Sequence, residues 1–219
     1  MKKLLSAVFL LPLFCCAQTP MVQAPTDTVG LNEGNFHTAW SHSAKYPVKV
    51  YWHLTQEMLS CPNPLKRCNC FTFDLQLPAE TKLNADYEKS GYDQGHNFDA
   101  DDDACATAAL NMNCWYFTNM APQLPNLNRI TWKDLEDQCR KWAKSGDDLF
   151  IECGSYGKLK VIGKDNVWVP AFCWKVVKHK NGAIDSYLMP NTSDVNQHPF
   201  AYYHTDITVI RQKTGIDNI

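Results

Sequence analysis

Apolar and polar residues alternate in several short segments of the chain. Residues 46–54 (YPVKVYWHL) and 71–77 (FTFDLQL) are rich in aromatic and β-branched residues and partly alternate, which predicts two strands. Residues 115–119 (WYFTN) predict a short apolar strand or a buried turn. Two later segments, 148–157 (DLFIECGSYG) and 166–179 (NVWVPAFCWKVVKH), predict further strands.

A longer segment, residues 127–146 (LNRITWKDLEDQCRKWAKSG), predicts a helix. It contains strong helix formers, acidic residues near its start and basic residues near its end, and Gly146 provides a stop. Two starts fit the sequence. Either Pro125 lies in the first turn, or Thr131 and Asp134 form a start that resembles a capping box.

A second, shorter helix is predicted at the end of the chain, over residues 205–215 (TDITVIRQKTG). Thr205 or Asp206 would cap it, and Gly215 would end it. Strands interleaved with a few helices predict an α+β domain with a mixed or antiparallel sheet and flanking helices.

The first residues have the form of a secretory signal peptide. Residues 1–17 contain two lysines, a short apolar run and small residues, which predicts export with cleavage after Ala17. Cys15 and Cys16 leave a lipoprotein open as the alternative, with a lipid anchor at the outer membrane. Either route predicts a periplasmic or extracellular protein, and no later segment is long and apolar enough to span a bilayer.

The rest of the chain predicts one domain. Residues 18–44 are expected to form a flexible leader, and residues 45–219 a compact domain with a sizeable core and no internal repeat.

Eight cysteines follow residue 17, and an even number in an exported chain favours disulfides. The sequence does not determine their pairing. A zinc site is the alternative, since Cys61, Cys68 and Cys70 lie close together, but their spacing is not the paired C-x2-C form. Cys139 lies within the predicted helix, and a disulfide there would fix that helix against a loop.

The chain has a formal charge of −2, or −4 without Lys2 and Lys3. A nucleic-acid partner would therefore have to be held by a local basic patch. Candidate residues for that patch are Arg129, Lys133, Arg140, Lys141, Lys144, Lys158, Lys160, Lys164, Lys175, Lys178 and Lys180.

Four aspartates lie between residues 99 and 103. A calcium loop counted from Asp99 needs Gly and Glu at positions that hold Ala104 and Leu110, so an EF-hand is excluded. For most of the four, we expect a solvated acidic turn.

His96 follows a glycine, and Asp93 is close enough in sequence to orient its ring. On the predicted helix, Asn128, Glu136 and Arg140 spread over only about 120° of the surface. Amide and carboxylate oxygens suit a hard cation such as Mg2+. The alternative is an ordinary ion pair between Glu136 and Arg140 on an exposed face.

Three ordered motifs resemble the DNA/RNA non-specific endonuclease family, the ββα-metal (His-Me finger) group of secreted bacterial nucleases and mitochondrial endonuclease G. The motifs are DYEKSGYDQGH, WYFTNMAPQ and LNRITWKDLEDQCR, and VWVPAFCWKVV, LMPN and DITVIRQKTGID resemble later segments of the family. The resemblance covers roughly residues 45–219 and implies the ββα-metal nuclease fold.

The resemblance implies a role for each matching residue. His96 matches the general base that deprotonates water, and Asn128 the one side chain bound directly to the divalent metal. Glu136 matches the carboxylate that holds metal-bound waters. Asn119 matches an asparagine that organises the site, and Arg140 an arginine that contacts phosphate.

The family's usual Asp-Arg-Gly-His motif is altered here, because Gln94 replaces the arginine. Charge-assisted contacts to phosphate are roughly twice as strong as neutral ones, so this change predicts weaker phosphate binding. Arg67 is a further match to a phosphate-binding arginine, although the alignment is loose there. Gln94, Arg129 and Arg140 are the residues expected to contact the substrate.

These matches predict an exported, Mg2+-dependent endonuclease that cleaves DNA and RNA without sequence preference and leaves 5′-phosphate ends, with Mn2+ able to substitute. Three alternatives remain open. Gln94 favours a binding module with weakened catalysis, and the acidic segment favours a phosphodiesterase for smaller substrates. The third is an exported toxin or effector with an inhibitor protein as its partner.

Overall fold

A computed structural model describes residues 25–219. The predicted signal peptide, both cysteines of the lipoprotein alternative and the first residues of the expected leader lie outside the described residues. Within residues 25–219, no helix has the length and apolar character needed to cross a membrane.

The described chain contains ten strands and four α-helices. The strands are β1 (Thr28–Asn32), β2 (His37–Ser41), β3 (Pro47–Leu54), β4 (Asp93–His96), β5 (Met120–Gln123), β6 (Leu149–Tyr156), β7 (Lys160–Ile162), β8 (Val167–Val169), β9 (Phe172–Lys178) and β10 (Ile184–Pro190). The α-helices are α1 (Asn84–Tyr87), α2 (Ala108–Asn113), α3 (Lys133–Lys144) and α4 (Ile207–Thr214).

Six strands form one antiparallel sheet in the order β1-β2-β3-β6-β9-β10. Two small ribbons, β4-β5 and β7-β8, lie apart from it. Successive residues of β9 point to opposite faces of the sheet, and both faces are covered. Cys173 and Val177 pack in the core that α3 shares, whereas Trp174 and Val176 pack with Ile210 of α4.

The flexible leader expected over residues 18–44 is wrong for residues 28–41. These residues form β1 and β2, which pair with each other, and β2 pairs with β3. Leu31 and Trp40 are buried in the process. Each strand is only five residues long, and such short strands depend on the pairing and core contacts that the rest of the sheet supplies.

The prediction for residues 71–77 is also wrong, because only an isolated bridge between Thr72 and Tyr116 forms there. Asp74 redirects the chain into a turn. Its carboxylate accepts a hydrogen bond from the backbone N–H of Gln76 at 2.7 Å, and its own N–H donates to the Thr81 hydroxyl at 2.9 Å. Side-chain bonds of this kind compete with strand pairing.

The other predicted strands are present. Residues 46–54 and 148–157 contain β3 and β6, and residues 166–179 contain two strands, β8 and β9, in different sheets. Of the two alternatives for residues 115–119, a short strand or a buried turn, the structure has the buried turn. The segment ends in the 3-10 turn Phe117–Asn119.

The long helix begins with Pro125 in its first turn, so the alternative start at Thr131 is wrong. It continues as a π-helical segment, Leu127–Trp132, and then as α3. The predicted terminal helix is confirmed as α4: Asp206 caps it by accepting a hydrogen bond from Thr208, and Gly215 ends it with φ 69°.

Half of the eight cysteines form disulfides, Cys61–Cys105 and Cys68–Cys70. These bridges occupy the three cysteines of the zinc alternative. The other four are buried and have no disulfide partner among residues 25–219. Cys139 is one of them, so the expected disulfide on α3 is absent, because its side chain packs in the core between α3 and the sheet.

Candidate active site

The ribbon β4-β5 and the long helix form one wall of a cleft, and the Trp132 indole N–H joins them by donating to the His96 carbonyl at 3.2 Å. The cleft has a volume of about 300 Å³. Its lining residues are Arg67, His96, Asp99, Asp101, Asn128, Arg129, Lys133, Glu136 and Arg140. A larger cavity of about 760 Å³ lies on the α4 side of the sheet and is lined by none of the predicted site residues.

The His96 side chain is held between aromatic rings. Its imidazole contacts Phe71 at 5.5 Å and Trp115 at 4.9 Å between ring centroids. The residue is only 6% exposed. Its Nε2 atom is buried and has no hydrogen-bond partner among residues 25–219. A ring nitrogen that lines a cleft without a partner is available to accept a proton from a bound molecule.

Burial, followed by the positive charge of Arg67, lowers the pKa of His96 to about 3, although Asp99 opposes the shift. The imidazole is therefore neutral at neutral pH, which is the state that accepts a proton.

Asn128 is fixed from the opposite side by Asp93. The Asn128 amide donates to an Asp93 oxygen at 3.0 Å, and Arg129 donates two further bonds to the same carboxylate, at 2.7 and 2.6 Å. The expectation that Asp93 orients His96 is wrong. The two residues are three apart on a strand, so their side chains point to opposite faces. Because its NH2 group is held, Asn128 keeps its carbonyl oxygen as an acceptor.

Glu136 of α3 presents a carboxylate at the cleft and is nearly buried. Its Oε1 atom has no hydrogen-bond partner in the described chain, and it lies 3.9 Å from the Lys175 ammonium of β9. Burial, followed by the charge of Asp99, raises the pKa of Glu136 well above its usual value, and Lys175 and Arg140 oppose this.

Lys175 itself is fully buried, with its ammonium 4.4 Å from the Trp132 ring and 5.6 Å from the Trp52 ring. Sequence reasoning placed it only in a basic patch. The available signal was a single charged residue inside the apolar run AFCWKVV. Its position behind Glu136 depends on which face of β9 meets α3.

Arg140 lines the cleft, but three carboxylates hold its guanidinium. It pairs with Asp99, with Asp102 at 3.2 Å and with Asp137 at 2.6 Å. No ion pair joins it to Glu136 among the described residues, so the proposed alternative of a Glu136–Arg140 pair is wrong. Arg140 thus reaches the cleft with its charge already neutralised.

The same contacts overturn the expected solvated acidic turn, since three of the four aspartates are buried. Asp99 and Asp102 hold Arg140, and Asp102 also accepts from the Trp52 indole at 3.2 Å. Asp103 accepts from the Asn35 amide. Their partners come from distant parts of the chain.

Arg67 lies in the loop closed by the Cys61–Cys105 disulfide and directly precedes the Cys68–Cys70 bridge, and its guanidinium lies 5.0 Å from the centre of the Trp115 ring. Its side-chain hydrogen bond goes to Asn69, at 3.4 Å. No carboxylate in the described chain lies within ion-pair distance of it. Its charge is therefore available to an anion in the cleft.

Asn119 is fully buried and does not line the cleft. Its side chain exchanges two hydrogen bonds with the backbone of Phe98, at 2.8 and 2.9 Å, and donates to the Cys114 carbonyl at 2.9 Å. It thereby holds the segment that follows His96. Gln94 shares the His96 face of β4 but does not line the cleft either.

The structure therefore brings together His96, Arg67, Asn128, Arg129, Glu136 and Arg140 at one cleft. Sequence reasoning missed Trp115 as the ring beneath both Arg67 and His96. The carbonyl oxygen of Asn128 and the carboxylate of Glu136 line the same cleft and form a donor set that suits a hard divalent cation.

Several known proteins are similar to this chain. Mitochondrial endonuclease G of Caenorhabditis elegans is 30% identical over 202 residues, which cover 84% of this chain and 65% of that protein. A nuclease of Nostoc sp. is 32% identical over 182 residues, 77% of this chain and 65% of that protein. Human mitochondrial endonuclease G is 32% identical over 183 residues, 76% of this chain and 61% of that protein. The chain spans less than two thirds of the length of these relatives.

A chain in a crystal structure of the EndoG/EndoGI complex has the same fold, with a TM-score of 0.76 at 26% identity, over 85% of this chain and 83% of that one. This confirms the predicted fold. Residues 17–218 match the DNA/RNA non-specific endonuclease family, a family of metal-dependent nucleic-acid hydrolases. The chain therefore belongs to the DNA/RNA non-specific endonuclease family.

Proposed function

We propose that this chain is an exported endonuclease that hydrolyses the phosphodiester bonds of both DNA and RNA without sequence preference. The observation that carries the proposal is a neutral His96 at a cleft that also contains Asn128, Glu136 and Arg67; within residues 25–219, His96 Nε2 has no hydrogen-bond partner and Arg67 no ion-pair partner. These groups meet the needs of diester hydrolysis, which are a proton acceptor and positive charge beside the phosphate.

In this mechanism His96 Nε2 takes a proton from a water molecule, and the water oxygen forms a bond to phosphorus. The bond from phosphorus to the 3′ oxygen breaks and that oxygen takes up a proton from solvent water, so the products carry a 5′-phosphate and a 3′-hydroxyl. Arg67 binds a phosphate oxygen through charge-assisted hydrogen bonds. Asn119 holds the segment behind His96 and so keeps the imidazole in place.

Asn128 and Glu136 would hold one Mg2+, for which Mn2+ could substitute. When bound, this cation supplies positive charge for the phosphate and the departing oxygen. The Lys175 ammonium behind Glu136 orients one carboxylate oxygen toward the sheet.

Contacts to phosphate carry no sequence information. The cleft offers arginine, lysine, amide and carboxylate groups and few surfaces for reading base edges, which supports cleavage without sequence preference. The EndoG of the structural neighbour is bound in a complex that inhibits it. That neighbour supports a protein inhibitor as a further proposed partner.

The second candidate is a nucleic-acid binding module with weakened catalysis. Two observations favour it: Gln94 lacks the charge of the family's arginine, and Arg140 is already paired with carboxylates. Arg67 then remains as the unpaired arginine of the cleft.

The test is cleavage of supercoiled plasmid and total RNA with Mg2+, with Mn2+ and with EDTA, by the wild type and by His96→Ala. Loss of a general base lowers rates by about 10²–10⁴-fold. His53→Ala is the matched control, since His53 is exposed and pairs with Asp148 away from the cleft. Product ends should ligate directly, without prior phosphorylation.

Full activity in His96→Ala would exclude the proposed base. Binding without cleavage by the wild type, at every metal tested, would establish the binding module instead.

Export is proposed from residues 1–17. N-terminal analysis of the protein from its source should find Gln18 as the first residue. If the first residue were instead a lipid-modified Cys15 or Cys16, the lipoprotein alternative would be supported.

A further inference from the structure

The β7-β8 hairpin is a small basic surface beside the ribbon that carries His96. Ile162, Val167 and Val169 anchor it, because they are buried in a cluster that also contains Met120 of β5. The hairpin backbone is thus attached to the His96 ribbon through that cluster. Its outer face remains exposed.

Two lysines of this hairpin lie over aromatic rings. The Lys158 ammonium is 4.2 Å from the centre of the Trp168 ring, and the Lys160 ammonium is 4.8 Å from that of Tyr92. In residues 25–219, neither lysine has a carboxylate within ion-pair distance. By contrast, Lys133 pairs with Asp137, and Lys178 pairs with Glu152.

These lysine–aromatic pairs connect to the cleft through the start of β4. Tyr92 directly precedes Asp93, which holds Arg129 at 2.6 Å, and Arg129 lines the cleft. Tyr92 also packs against the same buried cluster as Phe71, whose ring contacts His96. Tyr92, next to Asp93 in β4, thus links Lys160 of the hairpin to the ribbon that holds Arg129 at the cleft.

The charge balance makes these lysines important. The whole chain is slightly acidic, Gln94 is neutral, and Arg140 is paired with carboxylates. A polyanion that leaves the cleft meets uncompensated positive charge along the hairpin. Acidic groups on the hairpin side include Asp165 in its turn and the buried Asp86, with Lys164 beside them.

We propose that Lys158 and Lys160, with the rings of Trp168 and Tyr92, form a subsite for the backbone of a nucleic-acid strand at a distance from the phosphate that is cut. The proposal rests on the proposed function and adds the path of the substrate. The ammonium groups would bind phosphates, and the rings would offer faces for unpaired bases, as in other surfaces for single strands.

The test compares Lys158→Gln/Lys160→Gln with Lys180→Gln/Lys213→Gln. The control pair removes the same charge, and neither residue lines the cleft. Lys180, a candidate from the sequence for the basic patch, lies instead beside Asp147 and Asp148, and Lys213 lies over the ring of Phe172 on the α4 side of the sheet. Each pair is assayed on a 30-nucleotide single strand and on bis(p-nitrophenyl) phosphate, a diester too small to reach the hairpin. Equal melting temperatures establish that all variants are folded.

Two lost phosphate contacts should reduce the slope of log affinity against log salt by about 1.4 for a single strand and raise KM for it about tenfold at low salt. Cleavage of the small diester should not change, and the control pair should match the wild type on both substrates.

An unchanged salt slope in the hairpin variant would overturn the subsite, as would an equal loss of activity on the small diester. Binding of the single strand by His96→Ala protein, with and without the lysine substitutions, measures the slope without cleavage. The subsite is therefore tested even if the wild type proves inactive, which is the result that would contradict the proposed function instead.

Discussion

Arg140 and Arg67 reach the same cleft from opposite walls, with opposite surroundings. Arg140 is buried, and three aspartates hold its guanidinium. Arg67 is exposed, lies over the Trp115 ring and has no carboxylate within ion-pair distance in the described chain. The helix geometry that makes Arg140 attractive as a phosphate ligand says nothing of the acidic segment packed against it.

The difference teaches that a cation at a cleft serves the substrate only if its charge is not already neutralised. We expect Arg140 to stabilise the fold and Arg67 to bind the phosphate. Three experiments test this division.

The largest effect is expected from Arg140→Met. This change leaves Asp99 and Asp102 buried without their cation, and removing one partner of a buried ion pair typically costs about 3–5 kcal/mol of unfolding free energy. Urea unfolding measures the loss. Lys133→Met is the control at the same cleft, and as a half-exposed partner in an ion pair it should cost less than about 1 kcal/mol. Equal costs would show that the Arg140 pairs do not stabilise the fold.

Arg67→Met should leave the unfolding free energy nearly unchanged, because the side chain is exposed. A hydrogen bond to a charged group contributes about 1.5–3 kcal/mol, so kcat/KM for a nucleic acid should fall about 10- to 150-fold. Steady-state kinetics on one oligonucleotide measure this. Arg67→Lys keeps the charge and should recover part of the activity. An Arg67→Met protein with a clearly lower unfolding free energy and a normal kcat/KM would contradict the roles assigned to the two arginines.

The third test concerns the pH dependence that the aspartates around Arg140 give to stability. Although burial opposes it, Arg140 holds the pKa of Asp99 below its usual value, whereas burial and the nearby Asp99 raise the pKa of Asp102 to about 7. The folded chain thus keeps a proton on Asp102 that the unfolded chain releases near pH 4. Unfolding free energy should consequently fall as the pH rises from about 4 to 7 and should not change further above that range through this group.

Asp102→Asn should flatten that part of the pH profile, measured by urea midpoints from pH 4 to 8. Asp137→Asn is the control. The pKa of the Asp137 carboxylate is lowered in the folded chain, so its contribution to the unfolding free energy increases as the pH rises. A wild-type profile that rises between pH 4 and 7 while Asp102→Asn leaves it unchanged would contradict the protonated state of Asp102.

Much of the fold follows from local pattern. The core strands β3 and β6 carry the expected apolar positions, and Asp206 and Gly215 bound α4 as predicted. The hydrophobic pattern failed where other contacts decide the structure, whether those contacts are distant or local in sequence. Strands β1 and β2 are stable only against β3, and Asp74 forms a turn through Gln76 and Thr81 within an apparent strand.

The site shows the same limit. Motif resemblance located His96, Asn128 and Glu136, and the structure places all three at one cleft. It did not locate Lys175, because that residue reaches Glu136 only through the pairing of β9 in the sheet. It also could not reveal the neutralised state of Arg140, which depends on Asp99, 41 residues away in the chain.

The π-helical segment Leu127–Trp132 makes the number of residues between Asn128 and Glu136 a feature of the site. A π-turn accommodates one residue more than an α-turn, and such turns occur often at functional sites. Asn128 lies within it, and Glu136 lies beyond it on α3. Deleting one residue between them, such as the exposed Ile130, would remove the residue that the wider turn accommodates, and an α-helix would then present Asn128 and Glu136 in nearly the same relative direction. The same number of residues wound as an uninterrupted α-helix would instead turn Asn128 away from Glu136, so the wider turn is what matches this chain length to the site.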